Sequence, residues 1–454
     1  MKNSRFEQMT QEKVEKLVVK LAIPTVISML VTAFYNMADT FFIGKITENG
    51  TAATGAVGIV FSYMSLIQAI AFFFGHGSGN YISRALGAQK RESAEKMASV
   101  GFFAAFIIGI LLLVFGLLFK NPILRFLGAT QTIMPEAEKY FFYILLATPF
   151  MISCFVINNH MRFQGNAKKA MIGIASGAVL NVVLDPIFIF IFKMGVSGAS
   201  LATAISQFIS FVLLLYLSRQ DGGIVIKFKN FKPDFSDFAE ITAGGVPSLC
   251  RQGLAAITVV FLNRFAGVYG DSAIAAFSVV SRISHIANSA IIGFGQGFQP
   301  VCGFNYGAKE YARVKKAYVF CLKISTVFMT VAGILLFAFA EPVVKIFRDD
   351  DMELIKIAGR TLRYQAACFP LLGVIVMTNM FLQNIRKPVK ASILAMSRQG
   401  LAFLPALVIL SFFFGLTGIE LSQSAADVVS FAIAMPFGMA EMKNLTKLEG
   451  EMHR

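Results

Sequence analysis

Apolar runs of about 20 residues recur along the whole chain, the length an α-helix needs to cross a bilayer. In hydrocarbon every backbone polar group must be satisfied internally, so a chain built this way folds as spanning helices. The runs fall at 17–44, 53–80, 97–119, 137–159, 168–192 and 196–217, then at 240–265, 274–300, 316–338, 357–383, 391–413 and 416–438. Charged residues make up only 15% of the 454 residues and mean hydropathy is +0.67. Soluble domains carry about a quarter charged residues. The opening stretch, KNSRFEQMTQEKVEKLVVK, is charged and amphipathic, without the short apolar core or cleavage site of a secretory signal.

The one long polar break is SRQDGGIVIKFKNFKPDFSD, 218–237, with Gly-Gly, Pro and mixed charge. It separates two sets of six spans. FFFGHGSGNYISRALGAQKRESAEK (72–96) resembles IGFGQGFQPVCGFNYGAKEYARVKK (292–316). Gly75, Gly77, Gly87 and Ala88 fall on Gly295, Gly297, Gly307 and Ala308, an offset of about 220 residues, the mark of a repeat. Ile23-Pro24 with Val246-Pro247, Pro149 with Pro370 and Gly198 with Gly418 keep nearly the same register. Six is an even number, so both copies enter the membrane from the same side. The expected fold is an all-α membrane protein of twelve transmembrane helices in two six-helix lobes related by a pseudo-twofold along the membrane normal. The lobes are expected at 1–217 (with 1–16 a cytoplasmic segment) and 238–440, joined by a cytoplasmic linker at 218–237 and followed by a tail at 441–454.

The net charge of +15 does not point to nucleic acid, because the bases sit in short loops between spans. They concentrate near both termini, in the linker, and near 84–96, 160–169, 304–316 and 384–390. By the positive-inside rule that side is cytoplasmic. Cys154, Cys250, Cys302, Cys321 and Cys368 lie in or beside apolar runs with no CxxC pair, so they read as buried thiols. GHGSG (75–79) and GFGQG (293–297) lack the following GKS/T of a phosphate loop and read as close helix contacts. No HExxH or GxSxG occurs, and the four histidines are scattered, so neither a metal nor a hydrolytic centre is expected.

The costly residues are acids inside spans. LAIPTVISMLVTAFYNMADTFFIG (21–44) carries Asp39, and a carboxylate there costs about 3 kcal/mol by insertion scales. Tyr35 and Asn36 share its helix face, four and three residues earlier, and Pro24 permits a bend lower in the span. The fifth run places Asn181 and Asp185 on one face with Pro186 directly after, and the sixth adds Thr203. A lone buried amide often just bonds a neighbouring helix. Two acids are too expensive for packing alone. Brought together, these groups give an oxygen-rich site for a proton or a small hard cation. The second half differs. Ala402 and Ala406 stand where Asn181 and Asp185 would, the seventh span's GGVPSLCRQGLAAITVVFLNRF (244–265) has Arg251 and no acid, and Asp427 is the one acid deep in a late span, with Glu420 nearer an end. Of the bases in this half, Arg251 and Arg398 are the candidates for buried polar contacts.

IPTVISMLVTAFYNMADTFFIG, GNYISRALGA and NVVLDP together resemble the multidrug and toxic compound extrusion (MATE) family, over nearly the whole chain. The resemblance implies two lobes around a cleft opening alternately to each side, and export of amphipathic, often cationic compounds in exchange for H⁺ or Na⁺, with no other cofactor. It implies that Asp39, Asn181, Asp185 and Thr203 bind the coupling cation, flanked by Tyr35 and Asn36. A second branch of the family places a coupling acid in the seventh span, and this chain has none there. The expected setting is a bacterial inner membrane, with both termini cytoplasmic and the chain acting as a monomer on small amphipathic cations. The rival expectation is a flippase for a lipid-linked oligosaccharide, which would line its cavity with bases like those of the second half.

Overall fold

The structure is a computed structural model and describes residues 2–45, 50–220, 222–347 and 351–452. Among the described residues all regular structure is helical. Among the described residues twelve helices are long and apolar enough to span a bilayer: α1 Val14–Gly44, α2 Gly50–Gly87, α3 Arg91–Leu118, α4 Met134–Phe163, α5 Ala167–Ile191, α6 Val196–Ser218, α7 Phe235–Ala266, α8 Asp271–Gly307, α9 Tyr311–Ala338, α10 Met352–Asn384, α11 Pro388–Phe414 and α12 Leu416–Met452. Short helices occupy Lys2–Gln11, Lys120–Phe126 and Ala340–Phe347. Many helices run past the apolar limits. Lys, Glu and Met are good helix formers, so α12 continues through Glu441, Lys443 and Lys447, and the expected tail at 441–454 is helical as far as Met452.

The chain packs as two compact units. One holds Met1–Gln8 and Ile27–Gly245, the other Met9–Val26 and Val246–Arg454. The division differs from the expected lobe boundaries in a specific way. The start of α1, through Val26, belongs to the second unit, and α7 up to Gly245 belongs to the first. Each changeover lies within a few residues of a helix proline, Pro24 or Pro247. A proline inside a helix removes one backbone hydrogen bond and admits a bend.

The sequence repeat is repeated in bonding. In the first unit Asn158 Nδ2 donates to the Ala170 carbonyl at 2.9 Å; in the second, Asn379 Nδ2 donates to the Ala391 carbonyl at 2.6 Å. Gln89 and Lys309, in the matching GAQ and GAK turns, both take positive φ. Gly198 and Gly418 play one part in both units. A Cβ on Gly198 would lie 2.7 Å from the Phe188 carbonyl carbon, and one on Gly418 would overlap the Leu410 carbonyl. Because backbone cannot step aside, Gly418→Ala is expected to lower stability by about 1–3 kcal/mol, with a smaller loss for Gly198→Ala, read by thermal unfolding in detergent.

The linker is held to the first unit. The Gln164 side chain accepts from the Ile224 amide at 2.8 Å, Ser99 Oγ accepts from the Lys227 amide at 3.2 Å, and Arg91 donates to the Gly222 and Gly223 carbonyls. Phe228 and Phe231 rest on Phe103. All five cysteines are free thiols; Cys154, Cys302 and Cys321 are buried, but Cys250 and Cys368 only partly so.

Candidate cation site

Four helices of the first unit bring their polar residues together. α1 supplies Tyr35, Asn36 and Asp39, α4 supplies Tyr140, α5 supplies Asn181 and Asp185, and α6 supplies Thr203. Asn181 is central: its Nδ2 donates to Asp185 Oδ1 at 3.1 Å and to Thr203 Oγ1 at 3.3 Å. Asp185, Asn181 and Thr203 are 0, 2 and 3% exposed. Asp39 accepts a hydrogen bond from the Tyr140 hydroxyl and lies close enough to Asp185 for the two carboxylates to repel. Tyr35 is within the field of both acids and of Cys154. The sequence set Asp39, Asn181, Asp185 and Thr203 thus falls in one place, with Tyr35 beside it. Asn36 shares the Asp39 face of α1 and has an interaction of its own. Pro24 lies in the part of α1 that packs with the second unit.

Among the described residues, three oxygens in this cluster are shielded from solvent and accept no hydrogen bond: Asp39 Oδ1, Asn181 Oδ1 and Asp185 Oδ2. Buried acceptors are costly when unsatisfied, and two carboxylates facing each other add repulsion. A cation or a proton relieves both costs. The oxygen-only donor set (carboxylates, amide carbonyl and hydroxyls) suits H⁺ or a hard cation such as Na⁺.

Local backbone shapes the site. Pro186 follows Asp185 and has no N–H to return to the helix. The helix widens directly after it into a π-turn over Ile187–Ile191, closed by the Phe192 amide on the Ile187 carbonyl at 2.9 Å. Such π-turns often occur at functional positions. Behind the cluster, Cys154 Sγ donates to Ser210 Oγ at 3.4 Å, and Ser210 donates to the Gly173 carbonyl at 2.7 Å. A Cβ on Gly177 would lie 2.8 Å from the Ser210 Cβ, so glycine lets α5 and α6 approach.

Tyr140 is the residue that sequence reasoning missed. A tyrosine near the start of a span reads as an interfacial anchor, and only the packing of α4 against α2, α3, α5 and α6 turns it inward. Tyr140→Phe removes one hydrogen bond to a charged group, worth about 1.5–3 kcal/mol. Because that bond satisfies the charged carboxylate in the absence of a cation, its loss is expected to shift cation-dependent activation of the variant to at least about tenfold lower cation concentration, with folding retained because the ring stays packed.

The MatE family model matches residues 24–187 and 247–408, one stretch in each half of the chain. The chain belongs to the MatE family. This is the multidrug and toxic compound extrusion family that the sequence resembles. The multidrug export protein MepA of Staphylococcus haemolyticus (strain JCSC1435) is 27% identical over 436 residues, covering 96% of this chain and 95% of that protein. A solved structure of a MATE protein in complex with MaL6 superposes with a TM-score of 0.91 at 26% identity, covering 97% of this chain and 99% of the other. An outward-facing multidrug resistance MATE transporter of the MOP superfamily gives 0.90 at 26% identity, with 97% and 98% covered. The chain is therefore a multi-pass membrane protein of a multidrug efflux transporter family.

In this MATE chain the second unit, among the described residues, carries no acid cluster like that of the first. Asp427, on α12, is 2% exposed and accepts from Arg398 Nε at 2.8 Å and from Gln423 Nε2 at 3.1 Å. Glu420, fully buried, pairs with Arg360 at 2.6 Å. Both late acids are thus committed to arginines. Arg251 lies close enough to Arg398 to feel its charge.

Proposed function

We propose that this chain is a cation-coupled antiporter that exports amphipathic, often cationic compounds by alternating access, with H⁺ or Na⁺ bound among Asp39, Asn181, Asp185 and Thr203. The observation that carries this reading is the set of three buried, unsatisfied oxygens on two acids and an amide inside the first unit. Family membership supplies the transport class, and MepA, by its name a multidrug export protein, suggests the cargo.

In the proposed cycle a cation entering from outside neutralises the acid pair and satisfies the orphaned oxygens. The cation shifts the conformational equilibrium only by its differential affinity for the two states. α1 is the natural element to respond, since it carries Asp39 beyond Pro24. The membrane potential adds up to about 2.3 kcal/mol per charge moved across 100 mV. The concentration of Lys and Arg on one side supports cytoplasmic termini in a bacterial cell, with the monomer as the proposed working unit.

Protein reconstituted in liposomes with a fluorescent cationic amphiphile tests this, with pH and Na⁺ gradients imposed separately. Dye movement driven by one of the two gradients is expected and names the coupling ion. Dye that moves only down its own gradient, indifferent to both ions, would overturn the antiport reading.

A further inference from the structure

The polar break between α6 and α7 interleaves bases with aromatics: Lys227, Phe228, Lys229, Phe231, Lys232 and Phe235. The segment turns back along α3. The Lys227 amide donates to Ser99 Oγ at 3.2 Å, and the rings of Phe228 and Phe231 meet Phe103 with centroids 5.4 and 5.5 Å away. A short 3-10 turn, Phe228–Asn230, is closed by the Phe231 amide on the Phe228 carbonyl at 2.9 Å. Residues three apart eclipse in that geometry, so both rings fall on one side. The chain then returns to Lys96, whose ammonium pairs with Asp234 at 2.6 Å and Asp237 at 2.8 Å.

Lys96 is the last charged residue before the apolar run of α3, and Phe103 lies seven residues beyond it. At 1.5 Å per residue that is about 10 Å into the run, a depth at which interfacial apolar groups sit. Phe228, packed on Phe103, is nevertheless 75% exposed, and Phe235, next to Asp234, is 90% exposed. A ring left open at this depth meets acyl chains rather than water. Asp234 and Asp237 are committed to Lys96. Lys227, Lys229 and Lys232 are exposed and form no ion pair among the described residues. An aromatic wedge is thus rimmed by unmatched positive charge, on stems long enough to reach headgroup level.

We propose that residues 227–235 form a docking surface for anionic phospholipid, with Phe228 and Phe231 among the acyl chains and Lys227, Lys229 and Lys232 against the headgroup phosphates. Charge complementarity selects this occupant: ammonium groups beside apolar rings at the end of a span match a surface that is negative at its rim and apolar beneath. A soluble acidic partner would use the lysines but leave the rings open. Each lysine near an anionic surface strengthens binding about fivefold, so the three together give on the order of a hundredfold. With the termini cytoplasmic, as proposed above, the lipid belongs to the cytoplasmic leaflet. Binding there depends on neither the cargo nor the coupling ion.

The chain contains no tryptophan, so Phe228→Trp puts a single fluorophore in the wedge. The full chain carrying it is placed in nanodiscs of phosphatidylcholine and phosphatidylglycerol, with each lipid in turn brominated on its acyl chains to quench a nearby indole. Both leaflets hold both lipids, so the orientation of the chain does not enter. Emission is expected to lie to the blue of free tryptophan, and phosphatidylglycerol is expected to be preferred over phosphatidylcholine at the ring by at least about tenfold. Changing Lys227→Gln, Lys229→Gln and Lys232→Gln together on that background should abolish the preference. Quenching by brominated phosphatidylcholine and thermal stability should both remain, because those lysines form no ion pair among the described residues. Phe412→Trp, at an 83% exposed position on α11, is the control and should show no preference. Water-like emission unquenched by either lipid would mean a surface left bare or kept for a soluble partner, and would overturn the proposal. So would equal quenching by the two lipids, or a preference that survives the triple change. A preference of the same size in the Phe412→Trp control would trace it to the overall charge of the chain and would equally overturn this site.

Discussion

Asp39→Asn is expected to bind cationic amphiphiles within a fewfold of wild type and to lose gradient-driven efflux. The amide is nearly isosteric with the acid, so the fold around residue 39 survives, and Asp185 keeps its bond from Asn181 at 3.1 Å. What disappears is the charge that makes the site attractive to a cation. A lost charge-assisted interaction of about 1.5–3 kcal/mol lowers cation affinity by roughly tenfold to a hundredfold. A site that no longer fills at working ion concentrations cannot bias the conformational equilibrium. Liposome efflux under the driving gradient, with binding measured on the same preparation, checks both halves of the prediction. Full coupled efflux in the variant would remove Asp39 from the coupling role.

The largest stability effect is expected in the other unit. Asp427→Ala strands Arg398 with no acid, and Arg251 already lacks one. Breaking a buried ion pair by removing one partner typically costs about 3–5 kcal/mol. A double variant, Asp427→Leu with Arg398→Met, is expected to recover most of that loss, because replacing a buried pair by apolar side chains is often close to neutral. Chemical unfolding in detergent of the single and double variants measures the difference. A single variant as stable as wild type would mean that Arg398 reaches water without its partner.

Much of this was legible in the chain, for physical reasons. Spanning helices announce themselves because hydrocarbon tolerates few polar residues over a fixed length. The repeat was legible because the same close contacts recur: Gly198 and Gly418 face carbonyls that admit no Cβ. Asp39 and Asp185 stood out because acids in spans are expensive, and i,i+4 spacing put Asn181 beside Asp185. The illegible parts depend on partners remote in sequence. Nothing local marks Tyr140 as the donor to Asp39, or pairs Arg398 with Asp427 across two helices. Helix ends were read short because hydropathy falls before helix propensity does, as α12 shows beyond Gly438. The assignment of the first part of α1 to the second unit follows from packing on both sides of Pro24, which a count of spans does not contain.

The central claim is that a cation and the cargo are linked through Asp39. Linkage is reciprocal: a cation that changes cargo affinity by some factor has its own affinity changed by the same factor. The most direct measurement is therefore the affinity of the purified protein for a cationic amphiphile as a function of pH at fixed Na⁺, and of Na⁺ at fixed pH, in wild type and Asp39→Asn. Affinity in wild type is predicted to fall as one of the two cations rises, and to become independent of it in Asp39→Asn. An affinity indifferent to both ions, or the same ion dependence in the variant, would contradict the account.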